Sequence, residues 1–253
     1  MSTENLEKVV LITGGSRGIG AACALLAARQ GYKVCVNFAS NEQAALDVVK
    51  DIENIGASAI AVKGDVANEA DILHMFAETK SRLGLVTGLI NNAGILSKEG
   101  RLDTFSAERI ARIIAVNVTG SILCAREAVK AMSTKHGGKG GSIVNISSVA
   151  ATLGGPNVYV DYAATKGAID TFTKGLALEV ATEDIRVNGV RPGIINTDIH
   201  ASGGRPDRVE ELKHLIPMQR GGSALEVAEV VLWLMSDAAS YVTGTTVDVS
   251  GGR

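Results

Sequence analysis

The chain has almost no excess of charge of either sign. Its 253 residues include 25 basic and 27 acidic side chains, which gives a net charge of −2. Such a balance provides no overall field that would attract a polyanion or an anionic lipid surface. We therefore expect neither nucleic acid nor a membrane among its partners.

Cysteine, proline and long apolar runs are also scarce. The 3 cysteines, Cys23, Cys35 and Cys124, are odd in number and widely spaced, which excludes a disulfide framework and a paired metal motif. The 4 histidines have no ligand spacing, so no metal site is predicted. The first residues lack the apolar core of a signal peptide, and no segment approaches the roughly 18 apolar residues of a membrane span. We expect a cytoplasmic protein.

What the sequence does contain is apolar residues in a regular order. Hydrophobic residues make up 46% of the chain and can fill a large core. Short β-branched runs alternate with longer helical patterns, beginning at VVLIT and ending at TTVDVSGG. Seven strands separated by helices predict an α/β fold, a doubly wound seven-stranded parallel sheet with helices on both faces. Ser40 followed by Gln43 predicts a capping box, and Ser106 to about Lys135 reads as one long helical region.

The whole chain, 1–253, is predicted to be one domain, because no linker or charge block interrupts the series. The irregular stretch 197–222, rich in glycine and proline, is the predicted substrate lid.

A glycine-rich turn follows the first strand directly. TGGSRGIG places Gly14, Gly18 and Gly20 before an apolar helix. Glycine allows a close approach of the backbone to a pyrophosphate, and the helix N-terminus stabilises its negative charge. The spacing departs from the GxGxxG fingerprint, so a strand-to-helix turn without a ligand is the alternative.

The residues around this turn bear on the choice of dinucleotide. NAD is usually held by an acidic residue after the second strand, whereas the 2′-phosphate of NADP prefers arginine. The second strand ends at Asn37 without an acid nearby, and Arg17 lies in the turn. This combination favours NADP over NAD; a solvated Arg17 is the alternative.

Tyr162 and Lys166 lie four residues apart in a predicted helix and so share one face. An ammonium about 4 Å from a phenol, at an effective dielectric of about 20, is worth roughly 4 kcal/mol, or about three pKa units. We therefore expect Lys166 to lower the pKa of Tyr162 toward neutrality, as a general acid/base requires. An ordinary surface pair is the alternative.

Several polar residues fall at or beside predicted strand ends, where parallel sheets bind ligands. They are Thr13, Asn37, Asp65, Asn91, Ser147, Ser148 and Pro192.

These motifs in this order, TGGSRGIG, NNAG, SS, YAATK and PGIINT, resemble the short-chain dehydrogenase/reductase family, over about Val9 to Gly252. The likeness is to its NADP-preferring branch of 3-oxoacyl reductases and sugar dehydrogenases. It implies that Tyr162 exchanges the proton, that Lys166 supports it, that Ser148 holds the substrate oxygen and that Asn117 anchors a water. The spacing leaves Ser147 or Ser148 as a choice of register, and Asn117 as a simple cap or kink is the alternative.

The resemblance also implies the cofactor contacts. Together with Tyr162 and Lys166, these are Gly14, Arg17, Gly18, Ile19, Gly20, Asp65, Val66, Asn91, Ala93, Gly94, Pro192, Gly193, Ile195 and Thr197. Asn37 is a further candidate contact from its place at the end of the second strand.

The leading hypothesis is an NADP-dependent carbonyl reductase, reversible as an alcohol dehydrogenase, that acts on a small carbonyl or alcohol. Sugar dehydrogenase and 3-oxoacyl reductase are further candidates, and the family implies a homotetramer. The competing hypothesis is a catalytically idle nucleotide-sensing or scaffolding protein on the same fold. The complete set of Asn117, Ser148, Tyr162 and Lys166 argues against it.

Overall fold

The computed structural model describes residues 7–197, 204–205 and 207–253. Seven parallel strands form one sheet in the order β3-β2-β1-β4-β5-β6-β7. The strands are β1 (Val9–Ile12), β2 (Lys33–Phe38), β3 (Ala59–Lys63), β4 (Gly88–Asn91), β5 (Gly141–Ile146), β6 (Ile185–Pro192) and β7 (Thr246–Val249). The predicted doubly wound parallel sheet is confirmed.

The helices connect the strands and cover both faces of the sheet. They are α1 (Gly18–Arg29), α2 (Glu42–Asn54), α3 (Glu69–Arg82), α4 (Ala107–Ile114), α5 (Ser121–Met132), α6 (Ala150–Leu153), α7 (Val160–Val180), α8 (Arg208–Leu212) and α9 (Ala224–Met235). One face carries α1, α2 and α9, and the other carries α3, α5 and α7. Among the described residues, no helix is both long and apolar enough to cross a bilayer.

The five inner strands are buried on both faces, which explains their nearly continuous apolar runs, whereas the edge strands β3 and β7 are partly exposed. All four residues of β1 are fully buried, and β4 beside it is equally covered. The chain reverses direction of winding between β1 and β4, so a crevice opens at the carboxyl ends of these two strands. Ser148 and Pro192, two of the strand-end residues noted in the sequence, line a cavity at this edge of the sheet.

Two local predictions need correction. The N-cap of α2 is Asn41, whose side chain accepts from the amide of Ala44 at 3.1 Å, and not Ser40 with Gln43. The cap lies one residue later than predicted, because asparagine caps as well as serine does, and no capping box forms there because the third residue after Asn41 is Ala44. The long helical region is also interrupted, since residues Ala115–Gly120 form a π-helical segment between α4 and α5. Such segments often mark functional positions, and Asn117 lies within this one.

Candidate active site

The glycine turn has room for a phosphate group because its glycines carry no side chains. Gly18 has a φ of +54°, in the left-handed region that favours glycine. A Cβ on Gly20 would lie 2.6 Å from the side-chain nitrogen Nδ2 of Asn92 and still closer to the carbonyl oxygen of Gly14. The turn therefore requires glycine at both positions, and it presents the N-terminus of α1 to the crevice. This cradle fits a dinucleotide pyrophosphate.

Asn37 supports this turn from beneath and does not face the crevice. Its side chain is buried; Oδ1 accepts from the amide of Gly14 at 3.1 Å, and Nδ2 donates to the carbonyl of Gly64 at 3.0 Å. Because the amide is used within the protein, the expected direct contact of this side chain with a cofactor is replaced by a supporting role. Arg17, by contrast, is exposed immediately before α1, where its fork can reach a ligand.

The Asn91 side chain does not face the crevice either. It is buried, and its Nδ2 donates to the carbonyl of Ser121 and to Oδ1 of Asn145 at 2.9 Å. The next residue, Asn92, lines the crevice instead, and its Nδ2 donates to the carbonyls of Thr13 and Gly14 at 2.9 Å. Consecutive side chains of a strand point to opposite faces of the sheet, so a shift of one residue decides between Asn91 and Asn92. The spacing of residues in the sequence did not resolve this choice.

Strands β3 and β4 are followed by three further predicted cofactor contacts, Asp65, Val66 and Ala93. The amide of Ala93 donates to the Thr13 hydroxyl, which fixes this strand end against β1. Val66 is buried, whereas the Asp65 carboxylate is partly exposed and pairs with Arg112 at 2.8 Å. Arg112 was not identified from the sequence, because no motif separates it from the other charged residues of α4.

The predicted catalytic residues meet at the carboxyl end of β5. Tyr162 and Lys166 project from the first turns of α7, and the Lys166 ammonium lies 5.6 Å from the centre of the Tyr162 ring. Ser148, which follows β5, hydrogen-bonds to the Tyr162 side chain. Ser147 is buried and donates to the backbone carbonyl of Lys166 at 3.2 Å. The structure thus directs Ser148, and not Ser147, toward the phenol.

Burial dominates the ionisation of this pair. It raises the pKa of Tyr162 to about 12, and the hydrogen bond with Ser148 only partly offsets it. The prediction that Lys166 brings the Tyr162 pKa toward neutrality is therefore wrong for this arrangement. Burial also lowers the pKa of Lys166 to about 8, while the ammonium donates to the carbonyl of Ile146 at 2.7 Å. At neutral pH the phenol is protonated and the lysine is mainly charged.

Asn117 connects the π-helical segment to this cluster. Its Oδ1 accepts from the amide of Ile95 at 2.8 Å, and its Nδ2 donates to the carbonyl of Ile95 and to the Thr165 hydroxyl. A Cβ on Gly94 would lie 3.6 Å from both Asn117 Oδ1 and Lys166 Nζ. Asn117 and Lys166 therefore border the same small space. The interruption of the helix at Asn117 lies at the predicted site.

A cavity of about 360 Å³ opens beside these residues, a size that suits a small ligand. Its lining includes the predicted residues Ile19, Gly94, Ser148, Tyr162, Lys166, Pro192, Gly193, Ile195 and Thr197. It also includes Tyr159, which follows α6, and Arg208, which belongs to the predicted lid. Of the predicted lid, α8 is described, whereas 198–203 and 206 lie outside the described residues.

Metal and thiol chemistry find no support in the part of the chain that the structure describes. No group of three or more histidine, cysteine or acidic side chains there could hold a metal ion. The three cysteines are buried, and burial raises the pKa of each thiol to about 12. A protonated thiol is a poor nucleophile, so these residues act as core packing.

Comparison with known proteins places this geometry in a family. The family model described as enoyl-(acyl carrier protein) reductase matches residues 14–253. The uncharacterized oxidoreductase YgfF of Escherichia coli is 54% identical over 245 residues, covering 97% of this chain and 99% of that protein.

Two further relatives are each 39% identical over 246 residues and 97% of this chain. They are 3beta-hydroxysteroid dehydrogenase 1 of Eggerthella lenta, of which 93% is covered, and the 3-oxoacyl-[acyl-carrier-protein] reductase of Synechocystis, of which 96% is covered. A short-chain dehydrogenase of Burkholderia cenocepacia, solved in complex with NADP, superposes with a TM-score of 0.89. It is 31% identical, over 98% of this chain and 99% of that chain. The chain belongs to the short-chain dehydrogenase/reductase family and is a nicotinamide-dependent oxidoreductase.

Proposed function

We propose that the protein is an NADP-dependent carbonyl reductase in which Tyr162 supplies the proton. The observation that carries this proposal is the meeting of Ser148, Tyr162 and Lys166 at one end of an apolar cavity. The nicotinamide cofactor, when bound, supplies or accepts the hydride. The competing idle nucleotide-sensing role is not favoured, because the site retains every group that proton transfer needs.

Ser148, Tyr162 and Lys166 each have a different role in proton transfer. Ser148 donates a hydrogen bond to the substrate oxygen, and the Tyr162 phenol transfers its proton to that oxygen as negative charge develops there. The Lys166 ammonium then stabilises the phenolate that remains. The phenol is protonated at neutral pH, as the proton donor for reduction must be, and burial raises its pKa further, to about 12.

Selectivity for the cofactor rests on Arg17, which we propose pairs with the 2′-phosphate of NADP. The glycine turn, Asp65, and the stretch from Pro192 to Thr197 would hold the remainder of the dinucleotide. The Burkholderia relative that superposes on this chain was solved with NADP, which supports this choice over NAD. Replacing Arg17 with alanine should lower the ratio of kcat/KM for NADPH over NADH at least tenfold. Arg29→Ala, at the other end of α1, is the matched control and should leave the ratio unchanged.

The substrate should be a largely apolar carbonyl compound. Leu96, Val149, Leu153, Val158 and Ile194 line the cavity, so a sugar would lose more hydrogen bonds to water there than the site could replace. The named relatives act on steroids and on acyl thioesters, which fits this apolar lining. In a panel assay with NADPH, one or more of diacetyl, an acetoacetyl thioester and a 3-ketosteroid should be reduced, whereas glucose supplied with NADP+ should yield no NADPH.

Tyr162→Phe tests the proposal directly. Loss of the proton donor should reduce kcat by about 10²–10⁴-fold and leave the Kd for NADPH, measured by fluorescence titration, within twofold. Tyr241→Phe, at a fully exposed tyrosine, is the matched control and should behave as the wild type. Retained turnover in Tyr162→Phe would show that the proton comes from another group.

We also propose a cytoplasmic homotetramer that folds as a single domain and has no nucleic-acid partner. Ile114 on α4 and Ile122 on α5 are 45% and 38% exposed, and such apolar positions support a subunit contact. The net charge of −2 supports the absence of a nucleic-acid partner. Light scattering after gel filtration would test the tetramer, and a monomer would refute it.

A further inference from the structure

A buried arginine forms part of the substrate cavity without a place in the proposed chemistry. Arg208, the first residue of α8, is 7% exposed. One of its guanidinium nitrogens pairs with the Glu99 carboxylate, and the other donates to the Tyr159 hydroxyl at 2.7 Å. A buried guanidinium is costly unless it is paired in this way, so the contact fixes the positions of its partners as well.

Tyr159 carries this contact to the catalytic helix. It is the N-cap residue of α7, and its ring packs edge-on against the Tyr162 ring, with 5.6 Å between the ring centres and an angle of 85°. The Arg208 guanidinium carbon lies 5.1 Å from the centre of the Tyr159 ring. The three side chains therefore form one continuous row from α8 to the proton donor.

The backbone around Tyr159 leaves its ring little freedom on the other side. A Cβ on Gly155 would lie 2.8 Å from a ring carbon of Tyr159. The amide of Gly100, which follows Glu99, donates to the carbonyl of Val158 at 2.9 Å. Glu99 is thus tied to the segment that carries Tyr159 by backbone as well as through Arg208. We call Glu99, Arg208 and Tyr159 the clamp.

Arg205 offers an internal comparison. Its guanidinium also pairs with Glu99, at 3.2 Å, and it makes a second pair with Glu211. Its side chain is 36% exposed, against 9% for Arg208, and its described contacts do not include Tyr159. Two arginines share one carboxylate, but only Arg208 continues to the catalytic helix.

We propose that Arg208 is a positioning residue for proton transfer, holding the Tyr159 ring against Tyr162 and so orienting the phenol toward the substrate oxygen. This inference rests on the proposed role of Tyr162. Displacing a reacting group by about 1 Å can cost as much as 10²-fold in rate, so loss of the clamp should lower kcat. It should leave NADPH affinity nearly unchanged, because the cofactor cradle lies on other elements. The KM for the substrate should also change little, because the Arg208 guanidinium bonds to Glu99 and Tyr159 and not to the substrate.

The test is a double-mutant cycle on Arg208→Met and Tyr159→Phe, with Arg205→Met as the matched control. Steady-state kinetics use NADPH and the panel ketone that the wild type reduces fastest. Each single variant should lose about tenfold in kcat with KM within twofold of wild type, and the double variant should lose no more than either single one. Arg205→Met should keep wild-type kcat.

Additive losses in the double variant, or a rise in KM with unchanged kcat, would overturn the proposal, because Arg208 would then contact the substrate independently. Tyr159→Phe retains the ring, so it decides the matter even if Arg208→Met folds poorly.

A crystal structure of Arg208→Met gives a readout that does not depend on turnover. A Tyr159 ring displaced from its edge-on contact supports the clamp, whereas an unmoved ring refutes it. If no panel compound is reduced by the wild type, the proposed function fails, and this structure still decides on the clamp.

Discussion

The two walls of the active-site groove are held together by different kinds of contact. The cofactor wall, which we define as the turn Gly14–Gly20 with Asn37 and Asn92, uses short side chains that bond to the backbone. Asn37 joins Gly14 to Gly64, and Asn92 joins the carbonyls of Thr13 and Gly14. These contacts are buried or partly buried, and they fix the turn in one conformation.

The substrate wall, defined as Glu99, Tyr159 and Arg208 and supported by Arg205, uses long polar side chains that bond to one another. Glu99 receives both arginines, and Arg208 also reaches the Tyr159 hydroxyl. Long side chains lose more rotamer freedom on ordering than asparagine does, so such contacts hold a geometry less firmly. We therefore expect substitutions in the cofactor wall to reduce stability and those in the substrate wall to alter catalysis.

The largest expected effect on stability comes from Asn37→Asp. The new carboxylate would be buried against the carbonyl oxygens of Val62 and Gly64, which now accept from the Asn37 amide. Burying such an uncompensated charge should lower the free energy of unfolding by about 3–5 kcal/mol in urea denaturation.

Asn41→Asp is the matched control, since Asn41 only caps α2 near the surface and aspartate caps equally well. It should change stability by less than about 0.5 kcal/mol. Equal losses in the two variants would remove the distinction between the walls.

Gly20→Ala should have the next largest effect. The added methyl group would lie 2.6 Å from the side-chain nitrogen Nδ2 of Asn92, so the turn has to shift and the pyrophosphate cradle narrows. We expect a loss of about 1–3 kcal/mol in the free energy of unfolding and a fall of at least tenfold in NADPH affinity, measured by denaturation and by titration.

Gly175→Ala provides the comparison for this variant. Gly175 lies within α7 with no atom near its would-be Cβ, so alanine should stabilise the protein by up to about 1 kcal/mol. Wild-type NADPH affinity in Gly20→Ala would show that the cradle is not the cofactor site.

The contrast between the walls also explains which features could be read from the sequence. The alternation of β-branched and helical segments predicts the sheet. The glycines of the turn predict the cofactor wall, because the backbone there can be formed only by glycine. Tyr162 and Lys166 share a face by helix periodicity alone. By contrast, Asn91 and Asn92 differ by one residue, and only the end of β4 decides which of them faces the groove.

The substrate wall could not be anticipated in the same way. Glu99 and Arg208 are separated by 109 residues, and many other acidic and basic residues could pair as well. The pKa of Tyr162 could not be inferred either, because helix spacing gives the distance to a charge but not the extent of burial. Burial proves to be the larger contribution, and it raises the pKa where the ammonium alone would lower it.

Lys166, whose ammonium lies beside Tyr162, provides a test through pH. Burial lowers its pKa to about 8 in the folded protein, against an ordinary value of 10.5. Between these values the unfolded chain binds the additional proton, so the free energy of unfolding rises with pH in that window, by at most about 1.4 kcal/mol per pH unit. Lys166→Met removes this dependence. The free energy of unfolding of the wild type, relative to that of the variant, should therefore increase from pH 8 to pH 10.

Urea denaturation at each pH measures this difference, and the exposed Lys174→Met on the same helix serves as the control. The scan stops at pH 10 because the raised pKa of Tyr162 acts in the opposite direction above it, where the folded state retains the additional proton. A difference that stays constant across the window would show that the Lys166 ammonium is not desolvated as described.

The smallest expected effect is that of Arg205→Ala, which removes a supporting contact of the substrate wall. Arg205 pairs with Glu99 at 3.2 Å, but its side chain is 36% exposed, and exposed ion pairs contribute about 0.2–1 kcal/mol. Glu99 retains Arg208 as a partner, so the free energy of unfolding should fall by no more than this amount in urea denaturation, and less at high salt, because exposed charges are screened. A loss above about 2 kcal/mol would exceed the range for exposed pairs and mean that the substrate wall is as firmly held as the cofactor wall.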